Sequence, residues 1–343
     1  MLYKVFEKEG LKNLLAGIIS NYEMFGPRKV DKVAYDFVAI NEPEQIDLNY
    51  KKTTLPPAKK LLFPSYESLV NFNFGEKIEI APVIESRQRV LFGISPWDLN
   101  GMNFLDRIFS TDFIDGNYIA KRKKLIVIGY DTEPSDSNFA LSMGAEYATG
   151  GYDLFISDLG KKYFVRVATP AGNSILESFA GAVDAGTEDF ASYNKFMENY
   201  RKKFKVKVDL NQFHDNFEAV YSDNELWEKL SKSCFSCGSC NLVCPTCFCF
   251  NVRDDMLINL KEGVKSREWD SCMIPEYGLV AGGHNFRPVN SNRLKQRYRC
   301  KLKTFVDKFE TYSCVGCGRC VDACLAKINI YEDINSIKKE VNV

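Results

Sequence analysis

Residues 234–245 read CFSCGSCNLVCP, and residues 314–325 return the same pattern as CVGCGRCVDACL. Written by position, the runs are Cys234-x2-Cys237-x2-Cys240-x3-Cys244 and Cys314-x2-Cys317-x2-Cys320-x3-Cys324. Three thiols on one tight loop can face the same inorganic core. The fourth, carried on the helix that follows, points the other way and reaches a neighbouring core. The spacing therefore predicts two crossed ligand sets: Cys234, Cys237 and Cys240 with Cys324, and Cys314, Cys317 and Cys320 with Cys244. All twelve cysteines lie between Cys234 and Cys324, and none precedes them.

This is the cysteine run of ferredoxins with two cubane clusters, so two [4Fe-4S] clusters are the expected cofactors. Zinc ribbons use pairs of CxxC without a fourth cysteine three residues on. A disulfide framework needs a secreted context, whereas the opening MLYKVFEKEG has neither an apolar core nor a cleavage-like site. Proline follows Cys244 but leucine follows Cys324. That proline shapes the exit of the loop and is not a ligand, so its loss leaves the assignment intact.

The chain has 343 residues, 45% apolar and 26% charged, room for two or three ordinary globular domains. Lys+Arg and Asp+Glu are equal at 45 each, so no overall field points to nucleic acid or an anionic membrane. No apolar run reaches the roughly eighteen residues of a membrane span. Thiolate clusters without a targeting signal lead us to expect a reducing cytoplasm and anaerobic metabolism.

Residues 1–205 read as an α/β scaffold lobe without cysteine. Leu11, Leu14, Leu15, Ile18, Ile19 and Tyr22 recur with helical period. The runs at 90–94 and 125–129 are continuously apolar, as expected of strands buried on both faces. Asp98 is placed to cap the helix after the first run. Residues 153–157 and 163–167 look like a strand pair around Leu159-Gly160, and Pro170 is suited to open a helix. The basic stretch RKKFKVKV (201–208) begins a hinge, with a linker over 206–223. A mostly α-helical, ferredoxin-like two-cluster domain is expected over 224–332, followed by a charged tail at 333–343. Leu226, Trp227 and Leu230 give a short helix leading into Cys234. Between the two runs, helical pattern occurs around 253–260 and 294–305.

Four cysteines are left over: Cys247, Cys249, Cys272 and Cys300. They are either buried inert thiols or the ligands of a candidate third iron–sulfur cluster, a CxC pair completed by two distant thiolates. Near them lie His284, in a glycine turn, and the basic series Arg293, Lys295, Arg297 and Arg299. His284, one of only two histidines, is expected to be structural. The basic residues form a solvated face, stabilise reduced clusters, or dock an acidic partner; docking is the expectation taken here.

The sequence lacks a GxGxxG after a strand, a GxxxxGK[ST] phosphate loop, HExxH and GxSxG. It is therefore expected to conduct single electrons rather than perform hydride, phosphoryl or acyl chemistry.

CFSCGSCNLVCPTCFCF (234–250), WDSCMIPEYGLVAGGHNFRP (269–288), LKQRYRCK (294–301) and CVGCGRC (314–320) resemble the beta subunit of cytoplasmic sulfhydrogenase-type nickel–iron hydrogenases. They are also similar to the iron–sulfur subunit of anaerobic sulfite reductases. The likeness extends upstream through GISPWDLNGMNFLDRIF (93–109) and ALSMGAEYATGGYDLF (140–155). It implies a non-catalytic electron-transfer subunit. Its partners would be a flavin- and NAD(P)H-binding, ferredoxin-reductase-like subunit on one side and a catalytic oxidoreductase subunit on the other. The resemblance also implies cysteines at the places of Cys247, Cys249 and Cys272, and Cys or His at that of Cys300. Members often carry N-terminal cysteines in an ACD turn and a CFC stretch. Here Trp97-Asp98 and Asn138-Phe139-Ala140 stand there, so that redox centre is lost. Two alternatives stay open: substrate reduction by this chain at a partly open third cluster, and a purely structural use of the clusters.

Overall fold

The apolar runs at 90–94 and 125–129 become the middle of an eight-stranded sheet in the computed structural model, which describes residues 2–32, 34–48, 56–85 and 87–340. The chain supplies β1 (Leu2–Glu7), β2 (Glu23–Lys29), β3 (Tyr35–Ile40), β4 (Tyr66–Phe74), β5 (Ile78–Pro82), β6 (Arg89–Ile94) and β7 (Leu125–Tyr130). It continues with β8 (Leu154–Asp158), β9 (Lys162–Val167), β10 (Val183–Asp184), β11 (Phe250–Met256) and β12 (Glu262–Trp269). The large sheet runs β10-β1-β9-β8-β7-β6-β2-β3. Its centre, β2, β6, β7 and β8, is parallel, and antiparallel strands flank it.

Parallel strands need cover on both faces, and the helices supply it. On one face Leu14, Leu15 and Ile18 of Lys8–Asn21 and Ile175 and Leu176 of Pro170–Phe179 pack on Val90, Ile126, Ile128 and Ile156. On the other, Leu99, Met102 and Leu105 of Pro96–Ser110 meet Leu91, Val127 and Phe155. Tyr193, Met197 and Tyr200 of Thr187–Arg201 close over Val5 and Phe164 on that side. The strand pair around Leu159-Gly160 is β8–β9, and Pro170 occupies the first turn of its helix. Asp98 is not a cap, however. Ser95 caps its helix by accepting from the Asp98 backbone N–H, which frees the Asp98 carboxylate for a distant partner described below.

The second sheet corrects the expectation of a mostly helical C-terminal domain. Residues expected to be helical over 253–260 instead form β11 and the turn after it. Val252, Met256, Leu257 and Leu260 imitate helical spacing, but the hairpin wins because β11 pairs with β12 and β12 in turn pairs with β4. Asn259 Oδ1 accepts from the N–H groups of Lys261 and Glu262 in the turn. The second strand, β12, pairs antiparallel with β4 of the N-terminal lobe, so the sheet β11-β12-β4-β5 draws from both halves of the chain. Arg267 of β12 reaches through the junction to Glu67 and Asp115, with Lys121 also on Glu67.

Residues 206–223, expected as a linker, fold. Val208, Phe213, Phe217 and Val220 are buried in a third core with Leu226, Trp227, Leu294, Tyr298 and Leu302. Of the stretch 333–343, expected as a charged tail, the described part lies in the helix Ile330–Glu340 and buries Ile334 and Ile337 in the same core; 341–343 lie outside the described residues. The reading of 294–305 holds with one irregularity: the helix Asn290–Arg299 passes into a π-helical turn at Cys300–Thr304 before Phe305–Phe309.

Candidate metal centre

The repeat seen in the sequence is also a repeat of backbone. In the first run Ser236 and Gly238 have φ of 54° and 77°; in the second Gly316 and Gly318 have φ of 65° and 80°. Gly238 and Gly318 each precede a four-residue helix, Ser239–Leu242 and Arg319–Asp322. These left-handed positions, where glycine is cheapest, wrap each loop so that its first three thiols turn inward. The second loop is also pressed against the N-terminal lobe. A Cβ on Gly318 would lie 2.7 Å from the Ser137 carbonyl oxygen, and one on Gly316 2.6 Å from the Phe139 carbonyl carbon.

Among the described residues no three of His, Cys, Asp and Glu converge as they would on a single metal ion. The thiols instead border three clefts. Cys234, Cys237, Cys240, Cys320 and Cys324 line the first. Cys244, Cys314, Cys317 and Cys320 line the second. The grouping therefore crosses between the runs, as the spacing requires. Donors surround the sulfurs: the Ser236 N–H points to Cys234 Sγ at 3.4 Å and the Ile328 N–H to Cys324 Sγ at 3.3 Å. The hydroxyl of Ser239 lies 3.3 Å from Cys237 Sγ and holds that exposed thiol below its usual pKa. Burial pushes Cys240 up to about 11 and Cys314 up to about 12, as expected for thiols in an apolar enclosure with no metal charge beside them.

The four remaining cysteines share one cleft. Cys247, Cys249, Cys272 and Cys300 line a cavity of about 230 Å³, together with Asn241, Thr246, Tyr277, Arg287, Arg297 and Lys301. Asn241 Nδ2 donates to Cys272 Sγ at 3.0 Å and Gln296 Nε2 to Cys300 Sγ at 3.2 Å. The hydrogen bond with Cys272 holds Cys249 below the usual thiol range and pushes Cys272 above it. The π-helical turn begins at Cys300 itself; such local unwinding recurs at functional sites because it re-aims one side chain.

Three cations are buried among these sulfurs. Arg297 donates to Asn241 Oδ1 at 3.1 Å, Lys301 to Thr246 Oγ1 at 2.7 Å and Lys59 to the Cys247 carbonyl at 2.7 Å. Among the described residues none of the three has a carboxylate within ion-pair distance. Burial opposes the charge on Arg297, but the sulfurs of Cys240 and Cys320 favour it; Lys301 is held charged by Cys244 and Cys247 in the same way. Burial lowers Lys59 to about 8.

This overturns the docking expectation for the basic series. Arg297 and Arg293 are buried; Arg293 is spent on the carbonyls of Arg287 and Pro288 and on Ser236 and Asn290. Arg299 pairs with Glu218, and Lys295 lies over Tyr221. His284 is exposed with its ring against Phe286 and lines none of the three clefts. Lys59 escaped the sequence reading altogether. It sits in an N-terminal turn, Ala58–Leu61, and nothing in PPAKKLL marks it.

The N-terminal lobe touches the second loop directly. Arg319, between Gly318 and Cys320, forms a bidentate, fully buried pair with Asp98. Trp97, Ala140, Val315 and Cys317 belong to one packed cluster, so Trp97-Asp98 and Asn138-Phe139-Ala140 lie against the second cysteine loop.

Comparison with known proteins agrees with this geometry. Residues 233–328 match the 4Fe-4S dicluster domain, and the chain holds two [4Fe-4S] clusters. Over 317 residues, 92% of this chain and 92% of the relative, it is 31% identical to the sulfhydrogenase 2 subunit beta of Pyrococcus furiosus. Over 107 residues, 31% of this chain and 27% of the relative, it is 28% identical to the F420-dependent formate dehydrogenase 1 subunit beta of Methanococcus maripaludis. No described helix is long and apolar enough to cross a membrane. The chain is an iron–sulfur electron-transfer subunit, and it belongs to the family of sulfhydrogenase beta subunits.

Proposed function

We propose that this protein relays single electrons in the cytoplasm through three clusters. They pass between a flavin- and NAD(P)H-binding subunit on one side and a catalytic oxidoreductase subunit on the other. Cys234, Cys237, Cys240 and Cys324 hold the first cluster. Cys244, Cys314, Cys317 and Cys320 hold the second. Cys247, Cys249, Cys272 and Cys300 hold the third. Residues 224–332 form the cluster-bearing unit, and residues 1–205 serve as its scaffold.

The observation that carries the three-cluster reading is the trio of buried cations without carboxylates. An uncompensated buried ion costs several kcal/mol, so three of them, Lys59, Arg297 and Lys301, would together be comparable to the whole stability of a native chain. An iron–sulfur core bearing four thiolates is a net anion. Placed in the clefts these residues border, it offsets all three charges. Thr246, Asn241 and Gln296 then serve as donors around the core, which is how a protein tunes cluster potentials.

The test is Cys237→Ser in the assembled complex. Electron flow from the nucleotide-binding side to the terminal acceptor should stop, while the flavin-bearing partner still reduces an artificial dye. Through-flow at the wild-type rate would remove the first cluster from the relay.

A further inference from the structure

The first cluster site opens at the surface in the middle of an apolar, basic face. Cys237 is exposed. Phe235 and Leu325 border the same cleft as Cys237, yet they are 71% and 77% exposed. The loop 279–289 continues the face, with Phe286 and Val289 exposed at 67% and 51%. It is fastened there because Asn290 donates to the Cys234 carbonyl at 2.8 Å and accepts from Ser236 Oγ at 2.8 Å. Soluble monomers rarely leave contiguous apolar surface of this kind uncovered. The charge on the face is one-sided. Segments 232–240, 279–290 and 325–328 contain Lys232, Arg287 and Lys327 and no aspartate or glutamate, and Lys232 and Lys327 are exposed. In the other two clefts Cys244, Cys272 and Cys317 are buried, and none of the thiols is exposed as Cys237 is.

We infer that this face is the electron port of the protein. Its occupant is a redox protein whose own one-electron group lies near a surface of apolar contacts ringed by carboxylates. Tunnelling falls steeply with distance, so the exposed cluster ligand is where that group must approach. Phe235, Leu325, Phe286 and Val289 supply the desolvated contact, and Lys232 and Lys327 steer the acidic rim. Each exchange moves one electron: the partner's group is oxidised by one as the cluster is reduced by one, or the reverse. The inference rests on the placement of a cluster at Cys237, and iron content separates failure of that assignment from failure of the port.

The test uses the chemically reduced holoprotein and two small oxidants, anionic ferricyanide and cationic hexaammineruthenium(III). Each takes one electron from a reduced cluster. Charge reversal at Lys232→Glu/Lys327→Glu should slow oxidation by ferricyanide about tenfold at low salt, the lower end of electrostatic steering. It should speed oxidation by the ruthenium complex and reverse the sign of the salt dependence of both. The control pair Lys161→Glu/Lys195→Glu, exposed on the N-terminal lobe, carries the same change in net charge and should leave the rates unaltered. Equal effects of the two pairs, with iron content intact, would overturn the port. Hydrogen exchange on the native complex gives a second reading without mutation. Segments 232–240 and 325–328 should gain protection relative to the isolated chain. Protection confined to β5 and β11, with none at these segments, would also overturn the port.

Discussion

Replacing Asp98 by alanine isolates what the N-terminal lobe does for the second cysteine loop. The Arg319 guanidinium is 1% exposed and its carboxylate partner 3%, so Asp98→Ala leaves a cation in a site that water does not reach. Breaking such a pair from one side costs about 3–5 kcal/mol, against a total stability of about 5–15 kcal/mol for a native protein. With a urea dependence of about 3 kcal/mol per molar, at the upper end for a chain of this size, the midpoint should fall by about 1 M or more. The assay is anaerobic urea titration read by loss of cluster absorbance. Arg319→Met should cost a similar amount, because it strands the carboxylate. The double variant Asp98→Leu/Arg319→Met removes both charges and should be less damaged than either single, since apolar replacement of a buried pair is often neutral. Additive losses in the double variant would refute the claim that a mutually compensating pair ties lobe to loop.

Gly318→Ala combines a φ of 80° with a Cβ 2.7 Å from the Ser137 oxygen, a conformational cost of about 1–2 kcal/mol plus displacement of the lobe. Iron should fall by about four per chain. Gly282→Ala, with φ of 83° and open space around it, should keep its iron. Lys59→Met removes the cation that donates to the Cys247 carbonyl, so one cluster midpoint should shift negative by on the order of 60 mV, a tenfold change in a one-electron equilibrium. Anaerobic redox titration followed by EPR reads it, and an unmoved set of midpoints would show that Lys59 is not electrostatically coupled to a cluster.

Much of the architecture is local enough to be legible in the chain. Leu11 to Tyr22 carries its helix in its own periodicity, and the run at 125–129 announces a strand buried on both faces. The two cysteine loops, each encoded within twelve residues of sequence, come together so that each cleft draws thiols from both. What escaped is tertiary. The β11–β12 hairpin owes its strand conformation to β4, almost two hundred residues earlier, and its own spacing of apolar residues argues for a helix. Arg293 and Arg297 look like a solvated stripe because charge in sequence does not disclose burial. Asp98 looks like a cap in sequence, but Ser95 takes that place and Asp98, three residues on, pairs with Arg319. The grouping of Cys247, Cys249, Cys272 and Cys300 depends on the packing of Trp269 against Phe63 and on a π-helical turn, neither of which has a sequence signature here.

Iron and acid-labile sulfide per chain, measured on protein purified without oxygen, test the account most directly. Three four-iron clusters require about twelve of each, and Cys272→Ser should lower both to about eight. A wild-type value of about eight, unchanged in Cys272→Ser, would contradict the third cluster.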